Sequence, residues 1–315
     1  MRILITGASG YIGSCVFAYM EKLGHIVHGI AKSPSSHPNI YAIDLTDKTK
    51  NDEVAILLGN ADLVVHCAAL LHNKIKDEAG TAEFYETNVL ATKRLFGMAQ
   101  KLEVKKFVFL SSALSVLSHS RFIVDEKTQP IPKSEFAKSK LQAEMEILNL
   151  YEEGRTEPII LRLPLVYGSN PPANLRLLER LTTLNLPIPL DAVENKRSYI
   201  GMDNLLDLLA YLVDAKITRL DSYPVYFATD GSSLSTRKLV RYIAAAKNSK
   251  SVFLKVPKSL LKLGLLLIGK RNMIPSLLYD LEIDDSKIRK LLNWSPKYTP
   301  QQLFEIYFKE QQSND

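Results

Sequence analysis

Cysteine is scarce in this chain: its 315 residues include two, Cys15 and Cys67, and neither sits in a metal-ligand or redox spacing. That excludes a disulfide framework and a zinc ribbon, and it points to reduced thiols, expected here to be buried because both lie in apolar surroundings. Long apolar runs are also missing. The most apolar stretch, Leu260 to Ile268, is interrupted by Lys262 and falls well short of the ~20 residues a membrane span needs. It reads as a packed helix, although Lys258, Lys262, Lys270 and Arg271 around it also suit contact with a membrane surface. No secretory leader fits the start, because the apolar run Ile3-Leu4-Ile5 begins at once, so a cytoplasmic protein is expected. Repeats and low-complexity tracts are absent, which excludes solenoids and disordered arrays.

The charge balance is mild. Forty basic residues against 34 acidic ones give +6, which suits an anionic small molecule and gives no footprint for nucleic acid. From residue 2 to about 163, short β-type runs alternate with longer helical patterns, the signature of βαβ units and a parallel sheet. The strands expected are Arg2 to Thr6, Ile26 to Ala31, Ile40 to Ile43, Leu63 to Cys67, Lys106 to Ser111 and Pro158 to Leu163. Helices are expected over Ser14 to Leu23, Ala82 to Leu102 and Glu135 to Glu153, and the last two are long enough to pair across a homodimer.

After Gly168 the alternation lapses at Ser169-Asn170-Pro171-Pro172, a loop signal. Helices from Asn204, Ser235, Lys258 and Pro300 then mix with short strands at Val225 to Phe227 and Val252 to Leu254. The expectation is an α/β chain with a doubly wound parallel sheet over 1–168 and a smaller mixed α/β lobe over 169–315, from which some elements return to the first sheet.

Within that frame, Arg2 to Thr6 runs directly into Gly7-Ala8-Ser9-Gly10-Tyr11-Ile12-Gly13 and then into a helix. The first glycine permits the tight turn, the second lets backbone approach a pyrophosphate, and the third packs helix against strand. Free N–H groups and the positive dipole end at the helix start favour phosphate. In strand-loop-helix context the pattern identifies a Rossmann site for a nicotinamide dinucleotide. The second strand ends Ala31-Lys32-Ser33, with no acid to accept hydrogen bonds from the adenosine ribose. Lys32, Ser33 and Ser9 suit a 2′-phosphate instead, so NADP is favoured over NAD. Asp44 is placed to bond the adenine amine, or equally to cap the next helix.

These residues resemble the extended short-chain dehydrogenase/reductase family, in its branch of nucleotide-sugar epimerases, dehydratases and 4-ketoreductases. The resemblance rests on the glycine loop, Asp44-Leu45, Asp62 through Ala68-Ala69, Asn88, Ser111-Ser112, Ser139-Lys140, Leu161 through Gly168, and Arg197 through Asp203. It implies that Leu45, Ala68, Ala69, Asn88 and Lys140 line the cofactor. It also implies that Ser112, or with a slight shift Ser111 or Ser115, hydrogen-bonds the reacting oxygen.

The family's acid/base is a tyrosine four residues before a lysine on one helix face. Here Phe136 stands in its place and Lys140 comes four residues later. A phenylalanine keeps the ring but moves no proton, and a positioned acid/base is worth ~10²–10⁴-fold in rate. An introduced substitution and a natural, weakened homologue fit equally. His119 lies close along the chain, but a loop histidine is more often exposed to solvent than catalytic.

On the substrate side, the resemblance places Asn174, Arg197 and Arg271 at the diphosphate of a UDP-sugar, where a planar guanidinium bonds phosphate oxygens in pairs. The implied chemistry is hydride transfer at C4 of a UDP-hexose or UDP-N-acetyl-deoxyhexose for surface polysaccharide, by epimerisation or by net reduction. Two other readings stay open: an inactive NADP-binding sensor or scaffold, and a reductase of an apolar ketone.

Overall fold

The computed structural model describes residues 1–71, 78–169, 173–214 and 223–312, without the side chains of residues 78, 79, 173, 174, 214, 272 and 308–312. The chain runs through β1 (Arg2–Thr6), α1 (Tyr11–Lys22), β2 (Ile26–Ala31), β3 (Ile40–Ala42), α2 (Asn51–Gly59), β4 (Leu63–His66), α3 (Glu78–Phe84), α4 (Ala91–Lys101), β5 (Lys106–Ser112), α5 (Glu135–Leu150) and β6 (Glu157–Leu163). It continues through β7 (Leu165–Tyr167), α6 (Ala173–Thr183), β8 (Arg197–Gly201), α7 (Met202–Asp214), β9 (Val225–Phe227), β10 (Ser233–Leu234), α8 (Thr236–Ala246), α9 (Lys258–Leu267), α10 (Ile274–Leu278), α11 (Ser286–Leu292) and α12 (Pro300–Gln312). Two compact units result. One holds Met1–Val116, Gln129–Arg162 and Leu209–Tyr226; the other holds Leu117–Thr128, Leu163–Leu208 and Phe227–Asp315.

The first unit carries a seven-stranded sheet in the order β3-β2-β1-β4-β5-β6-β9, with β3–β2, β2–β1, β1–β4 and β4–β5 all parallel. Helices flank such a sheet on both faces, so its strands read as near-continuous apolar runs. Leu4, Val64 and Phe107 meet Phe96 of α4 and Ile147 of α5 in one buried core. The strand order reverses between β1 and β4, and the crevice at the carboxyl ends there is where open α/β sheets hold ligands.

The second unit has a three-stranded sheet, β10-β8-β7, parallel between β7 and β8 and antiparallel between β8 and β10.

Several expectations are corrected. The helix expected over Ala82 to Leu102 is interrupted by a π-helical stretch, Tyr85–Leu90, between α3 and α4. Hydrophobic spacing could not show this, because a wide turn keeps the same face buried. The strand expected at Val252 to Leu254 does not form: Phe253 makes one isolated bridge, to Ile188. The reason is the partner, Pro187-Ile188-Pro189, in which only Ile188 has an N–H; it donates to the Val252 carbonyl and accepts from Leu254 N–H, and the flanking prolines end the ladder.

Cys15 and Cys67 are half-buried rather than buried: Cys15 sits beside exposed Ser14 on α1, and Cys67 follows the last residue of β4. The apolar stretch from Leu260 is a helix, but not a packed one: none of the residues of α9 is buried. Of the expected loop Ser169 to Pro172, residues 170–172 lie outside the described residues.

Candidate functional site

At the end of β1 the chain turns through Gly7 with φ 68°. A Cβ on Gly7 would stand 2.7 Å from the Ala68 nitrogen, and one on Gly13 would stand 2.1 Å from the Gly7 carbonyl oxygen. Both obstacles are backbone, so neither position admits a side chain. The Gly10 N–H donates to the Gly7 carbonyl at 2.8 Å. α1 then starts with no side-chain cap and no acidic residue in its first turn, which leaves its first N–H groups available to an anion. Ser9 and Gly10 are exposed beside it, Tyr11 and Ile12 half-buried. This cradle fits a dinucleotide's pyrophosphate.

Behind the cradle a buried polar chain ties three elements together. Thr92 donates its hydroxyl to the Asn88 carbonyl at 2.8 Å, so the His66 Nε2, 2.8 Å from Thr92 Oγ1, must be the donor in that contact. His66 Nδ1 is then the acceptor for the Thr6 hydroxyl at 2.5 Å, and Thr6 Oγ1 accepts the Ala68 N–H at 3.3 Å. Burial holds the His66 pKa down at about 3, with the nearby Lys140 charge acting in the same direction; a neutral imidazole is what this bond order requires. Asn88 completes the arrangement, accepting the Leu70 N–H at 2.7 Å and donating to Ser139 Oγ at 2.9 Å. The segment Ala68-Ala69-Leu70 is thus fixed from both sides.

α5 is capped by Ser134, which accepts the Ala137 N–H at 3.2 Å. Phe136 is half-buried in its first turn. One turn on, Lys140 is 3% exposed, with Nζ 3.9 Å from the centre of the Phe109 ring. Burial pulls its pKa down to about 7, while the carboxylate of Glu144 and the Cys67 thiol work to raise it. The ammonium is therefore only marginally held.

The three candidate serines separate. Ser111 and Ser115 both donate to Glu144 Oε1, whose carboxylate also takes Arg162 at 2.7 Å. Ser112 accepts the Leu114 N–H at 3.2 Å and keeps an uncommitted hydroxyl proton among the described residues.

At the adenosine end, Lys32 and Ser33 are exposed, and Lys32 Nζ lies 3.0 Å from Asp44 Oδ2. Asp44 accepts the Thr46 N–H at 2.9 Å and its hydroxyl at 2.8 Å, so it caps the turn. Burial alone would raise its pKa, but these bonds and Lys32 hold it low. The Leu45 carbonyl accepts from Arg94.

In the second unit, Arg197 is 7% exposed and donates from one nitrogen to the carbonyls of Pro275 and Tyr279, both at 3.0 Å. Arg271 is exposed in a short turn before α10. Asn174 lies outside the residues whose side chains are described. The His119 ring lies tilted at 40° against Tyr279, with ring centres 5.2 Å apart. The Tyr167 hydroxyl donates to Asp230 at 2.6 Å, and the other oxygen of Asp230 accepts from Gly201 N–H and Asn204.

The family model described as NAD dependent epimerase/dehydratase family matches residues 3–218. The chain belongs to that family. A UDP-glucose 4-epimerase of Vibrio cholerae is 30% identical over 308 residues, covering 96% of this chain and 93% of the relative. The N-acetyl-α-D-glucosaminyl-diphospho-ditrans,octacis-undecaprenol 4-epimerase of Escherichia coli O157:H7 is 26% identical over 267 residues, covering 84% and 77%. Among solved structures, MoeE5 in complex with UDP-glucuronic acid and NAD has a TM-score of 0.78 at 20% identity, with 100% of both chains covered, a likeness of fold.

Within the first unit, Gly7 lies against the Ala68 backbone, Asn88 bonds Leu70 and Ser139, and Lys140 lies over the Phe109 ring of β5. The residues that sequence reasoning passed over are Thr6, His66, Thr92 and Glu144. His66 stood inside an apolar strand, and the signal that could have found it was a polar residue amid a run otherwise buried on both faces.

Proposed function

We propose that this chain acts at C4 of a UDP-hexose or UDP-N-acetyl-deoxyhexose, as a nucleotide-sugar 4-epimerase or 4-ketoreductase serving surface polysaccharide, with proton transfer weakened by Phe136. The observation that carries this reading is the Gly7–Gly13 cradle in the same unit as Phe136 and Lys140, which stand four residues apart on α5. A dinucleotide bound there supplies a hydride acceptor and donor for C4.

The chain's own residues do the rest. The N–H groups at the start of α1 hold the pyrophosphate. Lys140, with its ammonium near the point of losing its proton, adds a dischargeable positive charge beside the reacting centre. Ser112 offers a hydroxyl to the sugar oxygen and orients it. Phe136 packs its ring where a proton acceptor would stand, so the 4-hydroxyl proton must leave by a slower route, through Ser112 or water.

At the adenosine end, exposed Lys32 and Ser33 and the lack of an acid at the end of β2 support NADP, with Lys32 exchanging part of its pairing with Asp44 for a 2′-phosphate. Calorimetry with NADPH and NADH tests this; tighter NADH binding, unchanged in Lys32→Ala, would reverse it. The same reading carries a homodimer through α4 and α5, which sedimentation velocity checks.

The functional test is binding of UDP-glucose, UDP-galactose and their N-acetyl counterparts to the dinucleotide-loaded protein, with a subsequent assay for the C4 epimer and for net NADPH consumption. Product without net consumption indicates epimerisation, and consumption with a 4-keto sugar indicates reduction. Failure of every UDP-sugar to bind would end the proposal. Phe136 favours a second reading, a dinucleotide-dependent sensor that binds cofactor without turnover; restoring the phenol distinguishes the two.

A further inference from the structure

We propose that His66 and Thr92 are positioning residues for the dinucleotide, members of a buried hydrogen-bond chain that begins on α4 and sets the Ala68 backbone against Gly7; this rests on the reading of Gly7–Gly13 and Ala68 as the dinucleotide site. β1 and β4 pair in parallel, Ile3 with Leu63, Leu4 with Val64, Ile5 with Val65 and Thr6 with His66. Three of these pairs are apolar. The fourth is polar, and it stands at the carboxyl ends of both strands. Thr6, His66 and Thr92 are each at most 1% exposed, where a hydroxyl or imidazole is costly unless it is paired. Apolar groups of the same shape would serve stability as well. The polar pair instead lies directly before Gly7 and Cys67-Ala68, where a Cβ on Gly7 would stand 2.7 Å from the Ala68 nitrogen.

The chain has a direction. Thr92 gives its hydroxyl proton to the Asn88 carbonyl and accepts from His66 Nε2, which leaves Nδ1 to accept from the Thr6 hydroxyl. With its proton committed to His66, the Thr6 oxygen serves as an acceptor, and it takes the Ala68 N–H. Loss of the Thr92 hydroxyl removes the acceptor that holds the proton on Nε2. On Nδ1 that proton competes with the Ala68 N–H for the Thr6 oxygen, and Ala68 loses its fixed point. The Phe107 and Phe109 rings lie against the imidazole, with centres 5.8 and 5.5 Å away, and offer it no alternative acceptor. The far end of the chain returns to the same segment, because the Asn88 side chain bonds Leu70 at its N–H, 2.7 Å, and its carbonyl, 3.0 Å.

Calorimetric titration of the full chain with NADH and NADPH tests the proposal, with urea denaturation midpoints measured alongside. Thr92→Val keeps the shape of the side chain and is expected to lower dinucleotide affinity about three- to tenfold. Thr92→Ser, which restores the hydroxyl, is expected to recover it. Thr92→Ala carries the same comparison if Thr92→Val does not fold. Thr6→Val cuts the chain at its other end, so Thr92→Val added to it is expected to cost no further affinity, the non-additivity of a shared network. A lowered denaturation midpoint in Thr92→Val with native affinity would assign Thr92 to packing alone. Losses of affinity that simply add in the double variant would do the same, and either result overturns the proposal while leaving the dinucleotide site in place. A native chain that binds neither cofactor would end the reading of the site, and the proposal with it.

Discussion

Glu144 and Arg162 form an ion pair in which both side chains are 1% exposed, and the same carboxylate takes the hydroxyls of Ser111 and Ser115. One buried charge thereby engages two of the three serines and leaves Ser112 out. A buried pair broken from one side leaves the other charge stranded, at a cost of about 3–5 kcal/mol. Glu144→Gln is expected to lose stability in that range by urea denaturation. Glu144→Gln/Arg162→Met should recover part of the loss, because no charge is then left unpaired. A single variant as stable as the native protein would remove the pair from this role.

Gly13→Ala is expected to disrupt both dinucleotide binding and stability. The added methyl meets the Gly7 carbonyl oxygen at 2.1 Å, so the turn must open or α1 must shift. Overpacking of this kind costs about 1–3 kcal/mol. Calorimetric titration with NADH and NADPH checks it, with at least a tenfold loss of affinity expected, equivalent to about 1.4 kcal/mol.

His66 makes stability depend on acid. Its folded pKa, about 3, lies below the ordinary value of about 6.5. Between those values the unfolded chain binds the extra proton, so stability rises with pH across that window and is lost as pH falls from about 6.5 toward 3. The contribution is on the order of a few kcal/mol when fully developed. Denaturation midpoints measured over pH 3 to 7 should flatten in His66→Gln, whose amide has no proton to gain.

How much of this could be read beforehand differed by kind of residue. The cradle was readable because Gly7, Gly10 and Gly13 come after a strand and open a helix, all within one short segment. The Thr6–His66–Thr92–Asn88 chain was not, because its partners lie 60 and 26 residues apart in the sequence and a histidine in an apolar strand looks like core. Arg197 was placed at a diphosphate by the family resemblance, whereas its guanidinium binds carbonyls 78 and 82 residues further on, contacts that only the fold creates. The failed strand at Val252 had a visible cause in Pro187 and Pro189, which becomes informative only once Ile188 is known to be the partner. α9 was expected to pack because its leucines are many; their spacing places three of them on the face away from α10.

The central claim is that the site is built for C4 chemistry and lacks chiefly its proton carrier. Phe136→Tyr, loaded with dinucleotide and incubated with UDP-glucose and UDP-N-acetylglucosamine, should form the C4 epimer, or turn over the 4-keto sugar with NADPH, about 10²–10⁴-fold faster than the native chain by proton NMR. Absence of any C4 product from every UDP-sugar in the restored variant, with cofactor still bound, would contradict it.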